Sequence, residues 1–423
     1  MFCEKAYYRR FLVKSLDLFF YKIYNINNLK FRSDNMKRNK KLLAVFLAVI
    51  MAFGLLPVSV ISSFAVIKIE YGDFYFVKNS DGTYSVYEYF GESSDVVLPD
   101  TVFGKSVTAV YSHAFEDSSI TSVTIPEGYV TIGSSAFYGC SNLTEITLPS
   151  TITAVESMAF NSCTSLETVD LSAATSLKTV SYAVFQGDSA LSSVVIPESV
   201  ETLGANVFNG CSSLSEAVLP DGITSLGDNL FNGCSSLETV NIPSKVTKIG
   251  DNAFNGCALL DSISLPKDLT SIGENAFMGC ASISDFEVPN KLTSIGASAF
   301  EDCSSLSELF IPDTVTSIGA NVFYPMSVQN KINITCYENS EAETYCNENF
   351  VPFTAIEKKM GDVNIDGLID INDVTAIQKY RIGIATITTY RQMALADVSH
   401  DGAVTIRDAT LIQMKIAKMD VDF

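Results

Sequence analysis

Apolar residues recur through the middle of the chain at a fixed interval. Phe208, Phe231, Phe254, Phe277, Phe300 and Phe323 stand 23 residues apart, and Phe185, Phe160, Phe137 and Phe115 continue the series upstream, with one spacing of 25 and one of 22. A period of this size predicts a solenoid, because each unit can bury its apolar side only against its neighbours. The unit 251–273, DNAFNGCALLDSISLPKDLTSIG, shows the pattern inside one period. Leu260, Ile263 and Leu265 have the spacing of a short strand that Pro266 ends, and Leu269, Ile272 and Gly273 make a second extended piece before a turn. Ala253-Phe254 opens a compact helical or turn segment that Asn255-Gly256 closes. Each rung is therefore predicted as two short strands and an arc, with Phe and Cys facing inward, over residues 96–325.

The pattern changes at both ends. FYFVKNSDGTYSVYEYFG, 74–91, alternates around Asp81-Gly82 and predicts a capping hairpin within 66–95. INITCYENSEAETYCNENFVPF, 332–353, reads as a closing cap within 326–356, followed by a linker at 357–360. Beyond it, over 361–420, Val374, Ile377 and Ile382, then Ala409, Ile412 and Ile416, have helical spacing, each set preceded by an acidic loop. Near the start, MKRNKK at 36–41 leads into a long apolar run that ends in Ser63-Phe64-Ala65. A basic head, an apolar stretch and small residues at the end predict a signal peptide over 36–65, with no membrane span left after its cleavage. Residues 1–35 show neither caps nor period, so Met36 is expected to be the true start and 1–35 a non-native extension.

Charge and composition narrow the function. The whole chain carries −20, and residues 1–65 hold 11 of its 28 basic but 3 of its 48 acidic residues, leaving −28 on the mature chain. Such a surface repels nucleic acid and anionic lipid and suits divalent cations. His113 and His400 are the only histidines, and no HExxH, GxSxG or GxxxxGK[ST] run is present, so the usual hydrolase and nucleotide signatures are missing. Glu145, Glu216, Asp285 and Glu308 occupy an outward strand position but alternate with Thr168, Ser193, Thr239 and Ser262, the composition of a solvated face. No enzyme is expected. The lack of tryptophan argues against stacking on sugar rings, while Val195, Val218 and Phe310 form a candidate outward patch for a protein.

Ten cysteines in a secreted chain would suggest disulfides. Here Cys140, Cys163, Cys211, Cys234, Cys257, Cys280 and Cys303 each follow a repeat phenylalanine by three, which places them in one inward column with parallel Cβ directions. Free buried thiols are expected, with Cys336 and Cys346 of the cap the pair best placed to be an exception. One rung departs from the pattern: Asp188 stands where the cysteine should be, and 172–180, SAATSLKTV, lacks the proline.

IPSKVTKIGDNAFNGCALL, 242–260, and IPDTVTSIGANVF, 311–323, carry a resemblance to the BspA-type bacterial leucine-rich repeats. The resemblance implies a right-handed leucine-rich-repeat solenoid on a secreted or surface protein that serves binding or adhesion.

The acidic loops repeat. DVNIDGLIDINDVTAIQKYRIG from Asp362 and DVSHDGAVTIRDATLIQMKIAK from Asp397 agree at 9 of 22 positions. Oxygen donors at positions 1, 3, 5, 7, 9 and 12 with glycine at 6 suit calcium, which takes six to eight oxygens on a curved loop. The first loop offers Asp362, Asn364, Asp366, the carbonyl of Leu368, Asp370 and Asp373; the second offers Asp397, Ser399, Asp401, the carbonyl of Ala403, Thr405 and Asp408. With no room for an entering helix before the first loop, each unit is a loop followed by a helix.

Together GDVNIDGLIDINDV and ADVSHDGAVTIRDA resemble a type I dockerin, in which Asp at position 12 is usual. That resemblance implies a small α-helical module folded by two calcium ions that docks onto a cohesin domain of a scaffold protein. The recognition positions it implies are Ile371, Asn372, Gln378 and Lys379 in the first unit and Ile406, Arg407, Gln413 and Met414 in the second. The fold class expected for the whole chain is thus mixed α/β, a solenoid of short strands followed by that module. Its function is expected to be non-catalytic binding within a cellulosome-like complex, with a surface adhesin or an accessory component of polysaccharide degradation as alternatives.

Overall fold

The computed structural model describes residues 67–324, 332–385, 387–419, 421 and 423. The signal peptide and the extension before it lie outside the described residues. Among the described residues, no helix is long and apolar enough to cross a membrane.

The periodic phenylalanines become a continuous stack. From Phe115 to Phe323 each ring lies 4.9–6.0 Å from the next, with planes inclined by no more than 18°. Around this axis run two columns of very short parallel strands. One continues from Lys105–Val110 through Thr131–Ile132, Ala154–Val155 and Thr179–Val180 to Thr202–Leu203, and resumes from Ser225–Leu226 to Ser317–Ile318. The other runs through Glu145–Thr147, Thr168–Asp170, Ser193–Val195, Glu216–Val218 and Thr239–Val240. In this second column the rungs 251–273 and 274–296 lack the strand expected of them, and only a bridge between Ser262 and Asp285 remains. The arc of each rung is a turn and not a helix.

Rungs come so close that some positions admit only glycine: a Cβ on Gly296 would lie 2.4 Å from the carbonyl carbon of Gly273. Inside, the thiols form the expected column, and every one of them from Cys140 to Cys303 donates to a phenylalanine carbonyl one rung back at 3.1–3.2 Å. Burial pushes these thiols up, to about 12 at Cys140, Cys234 and Cys303, which keeps them protonated and unreactive. Cys336 and Cys346 are also free and buried, so the cap supplies no exception. Asp188 fills the gap in the column and is fully buried; its Oδ1 accepts the Cys163 amide at 2.8 Å while its Oδ2 has no partner.

The open ends of the strand columns are covered. Strands β1 (Ile69–Tyr71), β2 (Phe74–Lys78) and β3 (Tyr84–Tyr89) pair antiparallel in sequence, and β3 then pairs in parallel with Lys105–Val110. At the far end Asn333–Tyr337 pairs in parallel with Glu308–Ile311 and with Phe353–Ile356. Helix α1 (Glu341–Asn349), capped by Ser340, sets Tyr345 edge-on to Phe323 at 6.1 Å and gives its hydroxyl to the Val322 amide as acceptor. Unpaired strand edges invite association, and each cap closes one of the two columns at one end.

Candidate calcium-binding and docking site

After the linker the chain builds a second, separate core from Val363, Val374, Ile377, Ile387, Ala396, Val398, Ala409 and Ile412. Helices α2 (Ile371–Arg381) and α4 (Ile406–Ile416) follow the two acidic loops, as the periodicity predicts. Ile382 and Ile416 do not join that core: Ile382 lies just past the end of α2, Ile416 is the last residue of α4, and both are exposed. Helix α3 (Tyr390–Ala396) was not predicted. Its signal was present, because Thr389 and Gln392 form a capping box ahead of the buried Leu395 and Ala396.

Each loop is curved by its own side chains. Asp362 accepts the amides of Asp366 and Gly367 at 3.1 and 2.9 Å, and Asp397 accepts those of Asp401 and Gly402 at 3.2 and 2.9 Å. These bonds hold Ile365 and His400 in the left-handed region at φ 60° and 55° and need glycine at 367 and 402, where φ is 86° and 85°. A β-branched residue such as Ile365 adopts that conformation at a cost of about 1–3 kcal/mol. Asn364 accepts the Asp366 amide at 3.0 Å, and Asp366 and Asp401 accept the amides of Leu368 and Ala403 at 2.9 and 3.1 Å.

Position 12 does two jobs. Asp373 accepts the amides of Val363 and Asn364 across the loop with one oxygen and the Asp370 amide with the other at 2.8 Å; Asp408 does the same with Ser399 and Thr405. Asp370 and Thr405, the position 9 residues, are thereby the N-caps of α2 and α4. Burial raises the Asp373 carboxyl above the usual carboxylate range, and the nearby charge of Asp362 raises it further. At Asp408 burial acts the same way, but the amides of Thr405 and Ser399 outweigh it and the carboxyl is lowered.

Among the described residues no group of three or more His, Cys, Asp or Glu side chains stands gathered as a metal cluster. The donor set of the loops mixes carboxylates with amide, hydroxyl and backbone oxygens. Two observations suit a cation there. The charge of Asp362 opposes ionisation of the buried Asp373, and the Ser399 hydroxyl at position 3 of the second loop is buried with no hydrogen-bond partner.

The residues expected to recognise a partner lie on α2 and α4. Ile371 and Ile406 are 57% and 61% exposed, large values for isoleucine at a helix start, and Asn372, Gln378, Lys379, Arg407 and Gln413 are exposed as well. Met414 is half-buried. On the solenoid, Val195 pairs in register with Val218, but Phe310 is not a free part of that patch: the Arg391 guanidinium lies 4.9 Å from its ring centre.

A model of the BspA type leucine rich repeat region matches residues 108–238 and 224–350, and a model of the dockerin type I domain matches 360–417. Both are non-catalytic families. A leucine-rich repeat protein from Bacteroides ovatus is 24% identical over 68% of this chain and 76% of its own, with a TM-score of 0.58, a likeness of fold. The leucine rich repeat protein TpLRR of T. pallidum is 32% identical over 46% of this chain and 91% of its own, with a TM-score of 0.44. The pneumococcal vaccine antigen PcpA is 17% identical over 70% of this chain and 99% of its own, with a TM-score of 0.42. No curated protein matches. The chain belongs to the BspA type leucine rich repeat proteins and carries a dockerin type I domain at its C-terminal end.

Proposed function

We propose that this is a secreted, non-catalytic binding protein that works at the cell surface or outside the cell. Its solenoid presents an interaction surface to a protein or glycan, and its dockerin attaches it to a cohesin of a cellulosome scaffold. The observation that carries the reading is the matched pair of loop-helix units, each leaving an isoleucine more than half exposed, at 371 and at 406. An apolar residue so placed on a module with its own closed core is suited to burial by a partner.

Two calcium ions would be held by Asp362, Asn364, Asp366, the Leu368 carbonyl, Asp370 and Asp373, and by Asp397, Ser399, Asp401, the Ala403 carbonyl, Thr405 and Asp408. The ions would neutralise the loop carboxylates and stiffen the loops. Asp370 and Thr405 cap the helices that follow, so the loop geometry is passed directly to Ile371, Asn372, Ile406 and Arg407. Gln378, Lys379, Gln413 and Met414 extend each face along its helix.

The test is capture of the mature chain on immobilised scaffold cohesins with calcium and with a chelator. Capture in calcium alone supports docking. A chain that no scaffold cohesin retains in calcium overturns it, and leaves a surface adhesin with a calcium-stabilised end.

A further inference from the structure

The dockerin does not hang from the solenoid on a free tether. Lys358, within the four-residue linker, lies 2.8 Å from Asp313 and 5.4 Å from the ring centre of Tyr337, both on the solenoid side. The first two residues of helix α3 then meet the outward strand face. Tyr390, its first residue, donates its amide to the Glu287 carboxylate, accepts from the Asn290 side-chain amide with its carbonyl, and donates its hydroxyl to the Leu265 carbonyl at 2.5 Å. The next residue, Arg391, covers Phe310. Leu265, Glu287 and Phe310 belong to three successive rungs. Two strand spacings amount to about 10 Å, so the first two residues of α3 bridge a span of about that height.

The contact has marks of a built joint. Partial shielding raises the Glu287 carboxyl above its usual range, against the lowering effect of the Tyr390 amide. Burial likewise raises the Tyr337 hydroxyl, and the Arg391 charge opposes that rise. The Arg391 Nε and the Tyr337 hydroxyl are buried beside one another at this contact. The recognition residues of α2 and α4 lie elsewhere and, apart from the half-buried Met414, stay exposed. At its other end α3 stops on Asp397, the first oxygen donor of the second loop, and Leu395 and Ala396 are anchored in the module, with the Leu395 carbonyl accepting the Gly361 amide at 2.9 Å.

We propose that α3 is an intramolecular coupling helix: it seats the dockerin on the solenoid rungs at Leu265, Glu287 and Phe310, and calcium in the second loop holds it in the orientation that closes this joint. Solenoid and dockerin then move as one body and the docking faces are presented at a set angle. The calcium dependence rests on the calcium reading above; the joint itself does not.

Small-angle X-ray scattering of the mature chain tests this, with Tyr390→Ala on the dockerin and Glu287→Ala on the solenoid as independent variants. Wild type in calcium is expected to show a single compact envelope. Either variant, or wild type in chelator, is expected to shift to a larger radius of gyration with the broad distance distribution of two tethered bodies. Because neither residue belongs to a calcium loop or a docking face, both variants should still bind calcium by calorimetry and be captured by cohesin. Wild type in calcium that scatters like the variants would overturn the joint, and a wild type equally compact in chelator would overturn its calcium control. Loss of cohesin capture with compact scattering intact would count against the docking function and leave the joint standing.

Discussion

Asp188 shows how one residue can alter the chemistry of a repetitive core. Every cysteine of the inner column gives its thiol proton to a carbonyl one rung back, whereas Asp188 is walled in by the same packing and its Oδ2 is left unpartnered. Burial raises its carboxyl well above the usual range, so the neutral form belongs to the folded state. A carboxyl raised on folding stabilises the protein at low pH, and that contribution is lost as pH rises from about 4 through the folded value. Asp188→Cys restores the column and is expected to raise stability by about 1–3 kcal/mol near neutral pH. The gain should shrink toward pH 4, and denaturant melts of both proteins at pH 4 and pH 7.5 measure it. Equal gains at both would exclude a role for ionisation. The departure at 188 was legible in the sequence as a break in a pattern; that the carboxyl has a single partner depended on how tightly neighbouring rungs close over it.

At the scale of elements, the two loop-helix units share a backbone design and differ in charge. The first loop brings Asp362, Asp366, Asp370 and Asp373, while in the second Thr405 replaces the third of these carboxylates. Calcium affinity follows ligand charge. Calorimetry on Asp362→Ala and Asp397→Ala, each leaving one loop intact, is expected to find tighter binding in the protein that keeps the first loop; the reverse order would refute the ranking by charge. The loops and helices α2 and α4 were readable because their residue types act locally: turn-forming glycines, capping carboxylates and a helical period. Helix α3 was not read, since seven residues with one capping box fall below what periodicity can separate from loop. The missing strands at Ser262 and Asp285 were also beyond the pattern, because their apolar residues Ile263 and Phe286 are still buried while the backbone pairing there shrinks to one bridge.

Across the described residues there are two cores that share no residue, one running the length of the solenoid and one inside the dockerin. A ligand that binds only the folded form stabilises by about 2.7 kcal/mol at a hundred times its dissociation constant. Calcium is therefore expected to raise the thermal transition of the dockerin strongly and that of the solenoid little. Calorimetric scans of the mature chain with calcium and with chelator check this, and a solenoid transition that shifts as far as the dockerin transition would show a shared core.

The repeat, the inward phenylalanine and cysteine columns, the caps and the paired acidic loops were determined by sequence alone, because each is a periodic or short-range pattern whose burial is repeated rung by rung. Only the tertiary structure decided that Phe310 lies beneath Arg391 instead of in an open patch, and that Tyr390 reaches two rungs 100 to 125 residues away in the chain. Those contacts join segments with different periods, and no spacing within either segment encodes where the two surfaces meet.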